Sequence, residues 1–164
     1  GGLRIGAFLS KDLVAYIPVL GWIAWMGGTI YFNRHNPDSR AKALSDTLRM
    51  CEESTPVVVF PEGTRTRDGG LRETIRPGAL KAAWERDIRV GTFALDGTRT
   101  VFPPSMDRMY TRQRVAIVVG DTLRPSDYPD GETYAEAAWE AVKRSFSRAR
   151  EIGVDPAWEH YPTP

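Results

Sequence analysis

The chain has little of the residue types that hold metal ions or form covalent cross-links. Cys51 is the one cysteine among 164 residues, so an intrachain disulfide and a cysteine metal cluster are both excluded. The two histidines, His35 and His160, are too few and too far apart for a histidine-based metal site. We therefore expect no metal ion and no bound cofactor.

The sequence also lacks a large excess of charge of one sign, and it lacks common catalytic and nucleotide-binding motifs. The formal net charge is +1, which argues against a general nucleic-acid binder. No G-x-S-x-G elbow, P-loop or H-E-x-x-H pattern occurs.

Residues 13–32 are free of charge and long enough to span a bilayer, but Pro18, Gly21 and the pair Gly27-Gly28 interrupt them. We interpret 13–32 as either core or a membrane-facing surface, and not as a span.

What is present is the pattern of one α/β domain. Hydrophobic residues make up 41% and charged residues 26%, a balance typical of a globular protein. Strand and helix patterns alternate, which predicts a mixed, largely parallel sheet flanked by helices. We place the domain at 1–152 and a loosely held, proline-rich tail at 153–164. The predicted strands cover 3–9, 29–33, 57–60, 88–95 and 114–119. Helices are predicted at 13–26 and 133–150, and two further helices are predicted to begin at Pro37 and at the pair Pro77-Gly78.

Residues 57–65, VVVFPEGTR, carry the clearest local signal. The apolar run is typical of a strand buried on both faces, and it ends abruptly in polar residues. In open α/β sheets, ligands bind at the carboxyl ends of the strands. Gly63 permits close backbone approach, Thr64 offers a hydroxyl and Arg65 a planar fork of donors for phosphate or carboxylate. Taken alone, the same residues also fit a solvated turn in which Glu62 and Arg65 form a surface pair.

A second arginine also follows a predicted strand. Arg34 comes directly after 29–33, so it and Arg65 can converge on one anion. Glu62 cannot face a phosphate directly, and it is better placed to orient an arginine or to accept a hydrogen bond from a substrate hydroxyl. Cys51 falls on the apolar face of its helix and is interpreted as a small core residue.

These motifs, in this order and spacing, resemble the glycerolphosphate and lysophosphatidic acid acyltransferase family. The segment F-P-E-G-T-R at 60–65 resembles its third motif, and G-T-I-Y-F-N-R at 28–34 its second. S-K-D-L at 10–13 and R-P-G-A at 76–79 match the flanking segments. The chain departs from the family at 90–95, V-G-T-F-A-L, where a proline-containing strand is usual.

The resemblance implies acyl transfer from acyl-CoA or acyl carrier protein to a hydroxyl of a lysophospholipid or glycerol phosphate. It implies that Arg34, Glu62, Gly63, Thr64 and Arg65 hold the acceptor's phosphoglycerol end. The family's base is the histidine of an H-x-x-x-x-D motif, which this chain lacks. We expect that histidine and aspartate upstream of Gly1, and we expect the 164-residue chain to be inactive alone.

Two functions of different class remain open at this point. The first is a phospholipid-biosynthetic acyltransferase whose partners are a phospholipid acceptor, an acyl donor and the membrane surface. It would lie peripherally on the cytoplasmic face of the membrane. The second is a non-catalytic module that binds an anionic lipid or a phosphorylated metabolite.

Overall fold

The computed structural model describes residues 7–11, 29–33, 36–64, 66, 68–101 and 114–153. Expectations for the helix at 13–26 and for the tail beyond Gly153 lie outside these residues. The elements in chain order are β1 (Ala7–Lys11), β2 (Ile30–Phe32), α1 (Pro37–Glu52), β3 (Val57–Val58), α2 (Gly78–Glu85), β4 (Val90–Asp96), α3 (Thr98–Val101), β5 (Ala116–Leu123), a 3-10 turn (Pro125–Asp127) and α4 (Gly131–Gly153).

The described strands form two sheets of different direction. In the first, β1 pairs in parallel with β2 on one side and with β3 on the other. In the second, β4 pairs antiparallel with β5, and Phe93 lies opposite Val119. The prediction of a mixed α/β sheet flanked by helices is confirmed. Among the described strands, none pairs with the second edge of β3 or of β4.

Helix α1 begins where the sequence predicts. The Asn36 side chain caps it by accepting hydrogen bonds from the backbone N–H groups of Asp38 and Ser39, and Pro37 occupies the first turn. Ala43, Thr47 and Leu48 are buried, whereas Ala41 is exposed. Thr47 tolerates burial because its hydroxyl donates to the Ala43 carbonyl at 2.7 Å.

The main core lies where α4 packs on α2 and on the β4–β5 pair. Its buried members are Ala83, Leu123, Tyr134, Ala138 and Ala141. Tyr134 is fully buried, and its hydroxyl lies 3.1 Å from the Ile88 carbonyl and 3.3 Å from the Leu123 carbonyl. One phenol therefore joins the helix to the segment just before β4 and to the end of β5. Within the described ranges, no helix is both long and apolar enough to cross a bilayer.

Strand β5 runs further than predicted. The sequence indicates an end near Gly120, but the strand continues to Leu123. A glycine is needed at residue 120 for a different reason. A Cβ there would overlap the hydroxyls of Ser145 on α4 and Thr92 on β4. The glycine permits close approach of strand and helix and does not terminate the strand.

The apolar run at 57–60 also differs from expectation. Only Val57 and Val58 pair as strand, and Phe60 is 48% exposed. The prediction of a strand buried on both faces is therefore wrong. Val59 and Phe60 leave the ladder and line a cavity.

Candidate functional site

The polar residues after β3 form a tight turn. The backbone N–H of Gly63 donates to the Phe60 carbonyl at 3.0 Å, with Pro61 and Glu62 at the two central positions. Proline suits the first of these positions because its fixed φ matches the turn. Gly63 has φ of +67°, a backbone conformation that residues other than glycine rarely adopt. The turn geometry therefore gives a conformational reason for glycine at residue 63.

A later stretch of chain folds back onto this turn. The backbone N–H of Arg76 donates to the Pro61 carbonyl at 2.9 Å, and that of Arg72 donates to Glu62 Oε2 at 3.2 Å. These two bonds fix the turn from outside. The Glu62 carboxylate thus has a structural partner in the backbone and does not stand alone in solvent.

Half-burial changes the acidity of Glu62. Loss of solvent raises the pKa of its carboxyl above the usual glutamate value, and the Arg72 N–H and guanidinium oppose that shift. Raised carboxyl pKa values are common at functional sites.

The side chain of Arg76 lies directly over Gly63. A Cβ placed on Gly63 would be 3.2 Å from both Cδ and Nε of Arg76. The absence of a side chain at residue 63 therefore brings a guanidinium against the turn backbone. Arg76 is exposed, so its charge is available at this surface.

The turn opens into a cavity of about 600 Å³. Residues 90–95 of β4 line it as an unbroken run, so an edge of that strand, and not one face, borders the space. The volume falls in the range typical of small-molecule sites. Much of its wall is apolar or aromatic, formed by side chains that include Phe60, Leu71, Phe93, Trp139, Val142 and Phe146.

Polar groups are few in this cavity. Of the described residues that line it, only Glu62 and Arg99 are charged. Thr64, Thr66, Thr92 and Thr98 add hydroxyls. Two of these already donate, that of Thr66 to the Gly70 carbonyl at 2.5 Å and that of Thr92 to the Asp121 carbonyl at 2.9 Å. Such a space suits a ligand with an apolar body and a small anionic or hydroxyl group.

The structure places some of the predicted site residues and not others. Glu62, Gly63 and Thr64 lie together at the cavity. Arg34 and Arg65, like both histidines, lie outside the described residues. Cys51 is partly buried, and burial raises the pKa of its thiol, the opposite of what activates a nucleophile. Within the described residues, no group of three or more histidine, cysteine, aspartate or glutamate side chains could hold a metal ion.

Two arginines near the site were missed as site residues by sequence reasoning. Arg76 was predicted only as the first residue of the R-P-G-A segment at 76–79. Arg99 follows β4 in the segment Asp96-Gly97-Thr98-Arg99, which has the same order of residue types as Glu62-Gly63-Thr64-Arg65. Comparing the residues after each predicted strand would have revealed Arg99.

Comparison with known proteins places this chain in a family. A family model described as Acyltransferase matches residues 3–96, more than half of the chain, including the whole turn after β3. The chain belongs to the acyltransferase family. The prediction of an enzyme family, and not a family of binding modules, is confirmed.

Several relatives of this chain are themselves named as acyltransferases. A 1-acyl-sn-glycerol-3-phosphate acyltransferase of Chlamydomonas reinhardtii is 31% identical over 85% of this chain and 41% of its own length. The chloroplastic LPAT1 of Arabidopsis thaliana is 29% identical over 73% of this chain and 33% of its own length. A lyso-ornithine lipid O-acyltransferase of Pseudomonas aeruginosa is 32% identical over 63% of this chain and 39% of its own length. The predicted resemblance to lysophosphatidic acid acyltransferases is confirmed.

A solved structure shows the same fold. The 1-acyl-sn-glycerophosphate acyltransferase PlsC of Thermotoga maritima superposes with a TM-score of 0.73 at 22% identity, covering 98% of this chain and 59% of that one. The chain thus spans about a third to three-fifths of the length of these relatives.

Proposed function

We propose that the protein containing this chain transfers an acyl group to the free hydroxyl of a 1-acylglycerol 3-phosphate. One observation carries the proposal. The family match includes the turn at Glu62–Thr64, and this turn opens into a cavity with largely apolar walls and few charges. An acceptor with a phosphate head and an alkyl chain has both of the features that such a space accommodates.

The proposed roles follow from the chemistry of each residue. Arg34 and Arg65 bind the acceptor phosphate through charge-assisted hydrogen bonds. Gly63 allows the phosphate to approach the backbone, and Thr64 adds a hydroxyl donor. Glu62, already bonded to the Arg72 N–H, accepts from an acceptor hydroxyl or orients an arginine. Their combined effect is to hold the acceptor with its free hydroxyl fixed in position.

The chemical step needs a base that this constellation does not include. The acceptor hydroxyl oxygen attacks the thioester carbonyl, its proton passes to the base, and the donor thiol leaves and receives a proton. A histidine of the family's H-x-x-x-x-D motif, encoded outside this chain, is the proposed base. Acyl-CoA or acyl carrier protein supplies the acyl group.

Turnover by two forms of the protein tests this assignment. The 164-residue chain and the complete gene product are assayed with 1-acylglycerol 3-phosphate and either acyl-CoA or acyl carrier protein. We expect transfer by the complete product and almost none by the chain. Appreciable transfer by the chain would contradict the external base. Phosphate-dependent binding without transfer by either form would favour the non-catalytic module.

Substitution of Arg65 tests its role in acceptor binding. In the complete product, Arg65→Ala should raise the acceptor KM by about tenfold or more, because a charge-assisted bond contributes about 1.5–3 kcal/mol. Arg86→Ala is the matched control, since the Arg86 guanidinium pairs with Glu52 at 2.7 Å. An unchanged acceptor KM in Arg65→Ala would remove Arg65 from the phosphate site.

We also propose peripheral attachment to the cytoplasmic face of the membrane. The charge-free residues 13–32 support this proposal, with tyrosine and tryptophan side chains suited to a lipid interface. The protein should pellet with vesicles that contain an anionic phospholipid, and sedimentation with zwitterionic vesicles provides the comparison. Absence of binding to both would overturn the proposal.

A further inference from the structure

The turn after β4 repeats the chemistry of the turn after β3. Both contain an acidic residue, glycine, threonine and arginine in that order, at 62–65 and 96–99. Both glycines have left-handed backbone geometry, with φ of +67° at Gly63 and +85° at Gly97. Thr64 and Thr98 line the same cavity. Two turns of the same composition therefore border one space.

Arg99 presents the charge of the second turn to this cavity. Its side chain lies against the 68–70 turn, where a Cβ on Gly69 would be 3.4 Å from Arg99 Cδ. Gly69 has φ of +78°, so a residue with a side chain would be strained there. Arg99 is the one cationic residue among the described residues that line the cavity.

The acidic members of the two turns are placed differently. Glu62 lines the cavity and accepts from the Arg72 N–H. Asp96 is absent from the described cavity lining, and its Oδ2 lies 3.3 Å from where a Cβ would stand on Gly153 at the end of α4. The carboxylate of Asp96, which belongs to the same turn as Arg99, therefore does not occupy the cavity beside the Arg99 side chain.

We propose that Arg99 binds a phosphate group of one of the two substrates and so helps to determine substrate specificity. This inference rests on the proposed acyl transfer. The acceptor carries a phosphate monoester, and both donor types carry phosphate on the group that leaves. A guanidinium at the rim of an apolar cavity binds such an oxyanion through paired N–H donors while the alkyl part contacts the walls.

Steady-state kinetics of the complete gene product distinguish the two sources of phosphate. The KM for 1-acylglycerol 3-phosphate is measured at saturating acyl-CoA, and the KM for acyl-CoA at saturating acceptor. Arg99→Ala should raise one of these by about tenfold or more, with a smaller change in kcat. The same KM in Arg99→Lys should fall between those of wild type and Arg99→Ala, because lysine keeps the charge but not the paired donors.

A matched variant controls for the loss of any exposed arginine near β4. Arg89 directly precedes β4, is exposed and does not line the cavity, so Arg89→Ala should leave both KM values unchanged. Calorimetric binding of glycerol 3-phosphate and of coenzyme A to the 164-residue chain gives a readout without turnover. The ligand that corresponds to the raised KM should bind Arg99→Ala about tenfold more weakly.

The outcomes separate this inference from the proposed function. An active wild type whose KM values are unchanged by Arg99→Ala overturns the role of Arg99 alone. Equal weakening of both substrates together with a lower unfolding temperature assigns Arg99 a structural role and also overturns the inference. A complete product that acylates no acceptor contradicts the proposed function. In that case, loss of glycerol 3-phosphate or coenzyme A binding in Arg99→Ala still supports an anion site, and unchanged binding rejects it.

Discussion

The turn region at 57–76 and the packed half formed by β4, β5 and α4 are built in opposite ways. The packed half contains most of the buried side chains, among them the fully buried Tyr134. None of the described residues between 57 and 76 is buried, and Phe60, a large apolar side chain of this region, is 48% exposed. Apolar packing is sparse in this region. The turn is held instead by the backbone N–H groups of Arg76 and Arg72, which donate to the Pro61 carbonyl and the Glu62 carboxylate.

This difference assigns stability and ligand binding to separate parts of the chain. Close packing fixes side chains and leaves little space, so it supports a scaffold. A turn held mainly by backbone bonds leaves its carboxylate, hydroxyl and glycine surfaces open to a ligand. Substitutions in the packed half should therefore change the free energy of unfolding, and those in the turn region should change it less.

The largest effect should come from Gly120, where β5 lies close to α4. Gly120→Ala places a methyl group against the Ser145 and Thr92 hydroxyls, which donate to the Ala141 and Asp121 carbonyls. We expect a loss of about 1–3 kcal/mol in the free energy of unfolding, measured by urea denaturation.

Gly78→Ala is the matched control, since nothing lies within 4 Å of a Cβ at that helical position. It should leave the free energy of unfolding unchanged or raise it by up to about 1 kcal/mol. Equal effects of the two substitutions would contradict the close approach at Gly120.

Tyr134 should give the next largest effect, with a characteristic pH dependence. Burial raises the pKa of its phenol to about 12. The folded state thus binds the phenolic proton more tightly than the unfolded chain, whose tyrosine pKa is about 10. This stabilisation is full below about pH 10 and is lost as the pH rises through about 12, a change of about 2–3 kcal/mol.

Tyr134→Phe should lower the free energy of unfolding at neutral pH by about 1–2 kcal/mol, because hydrogen bonds to buried carbonyls are lost. Urea denaturation at pH 8 and at pH 11 should show this deficit shrinking as the pH rises. Tyr128→Phe is the control, since no hydrogen bond of its hydroxyl is seen among the described residues. A deficit that stays constant between the two pH values would reject the raised pKa of Tyr134.

The smallest effect should come from Glu62, in the turn region. Its raised pKa means that the ionised carboxylate is disfavoured in the folded state. Any stabilisation from its neutral form is lost as the pH rises through that raised value. Glu62→Gln keeps an oxygen that can accept from the Arg72 N–H and removes the charge, so stability at pH 7 should be unchanged or slightly higher.

Glu62→Ala removes the acceptor and should lower the free energy of unfolding by about 0.5–1.5 kcal/mol. Both variants are compared with wild type by urea denaturation at pH 7 and pH 4. If Glu62→Gln is as destabilising as Glu62→Ala at pH 7, ionised Glu62 stabilises the turn and its pKa is not raised.

Local sequence determined much of the architecture. The start of α1 at Pro37 was predicted correctly, since a helix start depends on residues a few positions apart, here the Asn36 cap and Pro37. The helical pattern from Tyr134 to Phe146 likewise predicted α4. The ordered motifs at 10–13, 28–34, 60–65 and 76–79 were sufficient to predict the family.

Only the tertiary structure decided features that depend on distant partners. Val59 and Phe60 look like buried strand in sequence, yet they line a cavity because no described strand pairs with that edge of β3. Gly120 looks like a strand end, yet it is a packing contact with α4. Arg99 lies 37 positions from Glu62 in the chain, but the fold brings both to one cavity. Periodicity and capping depend on near neighbours, whereas burial and convergence depend on which elements meet in space.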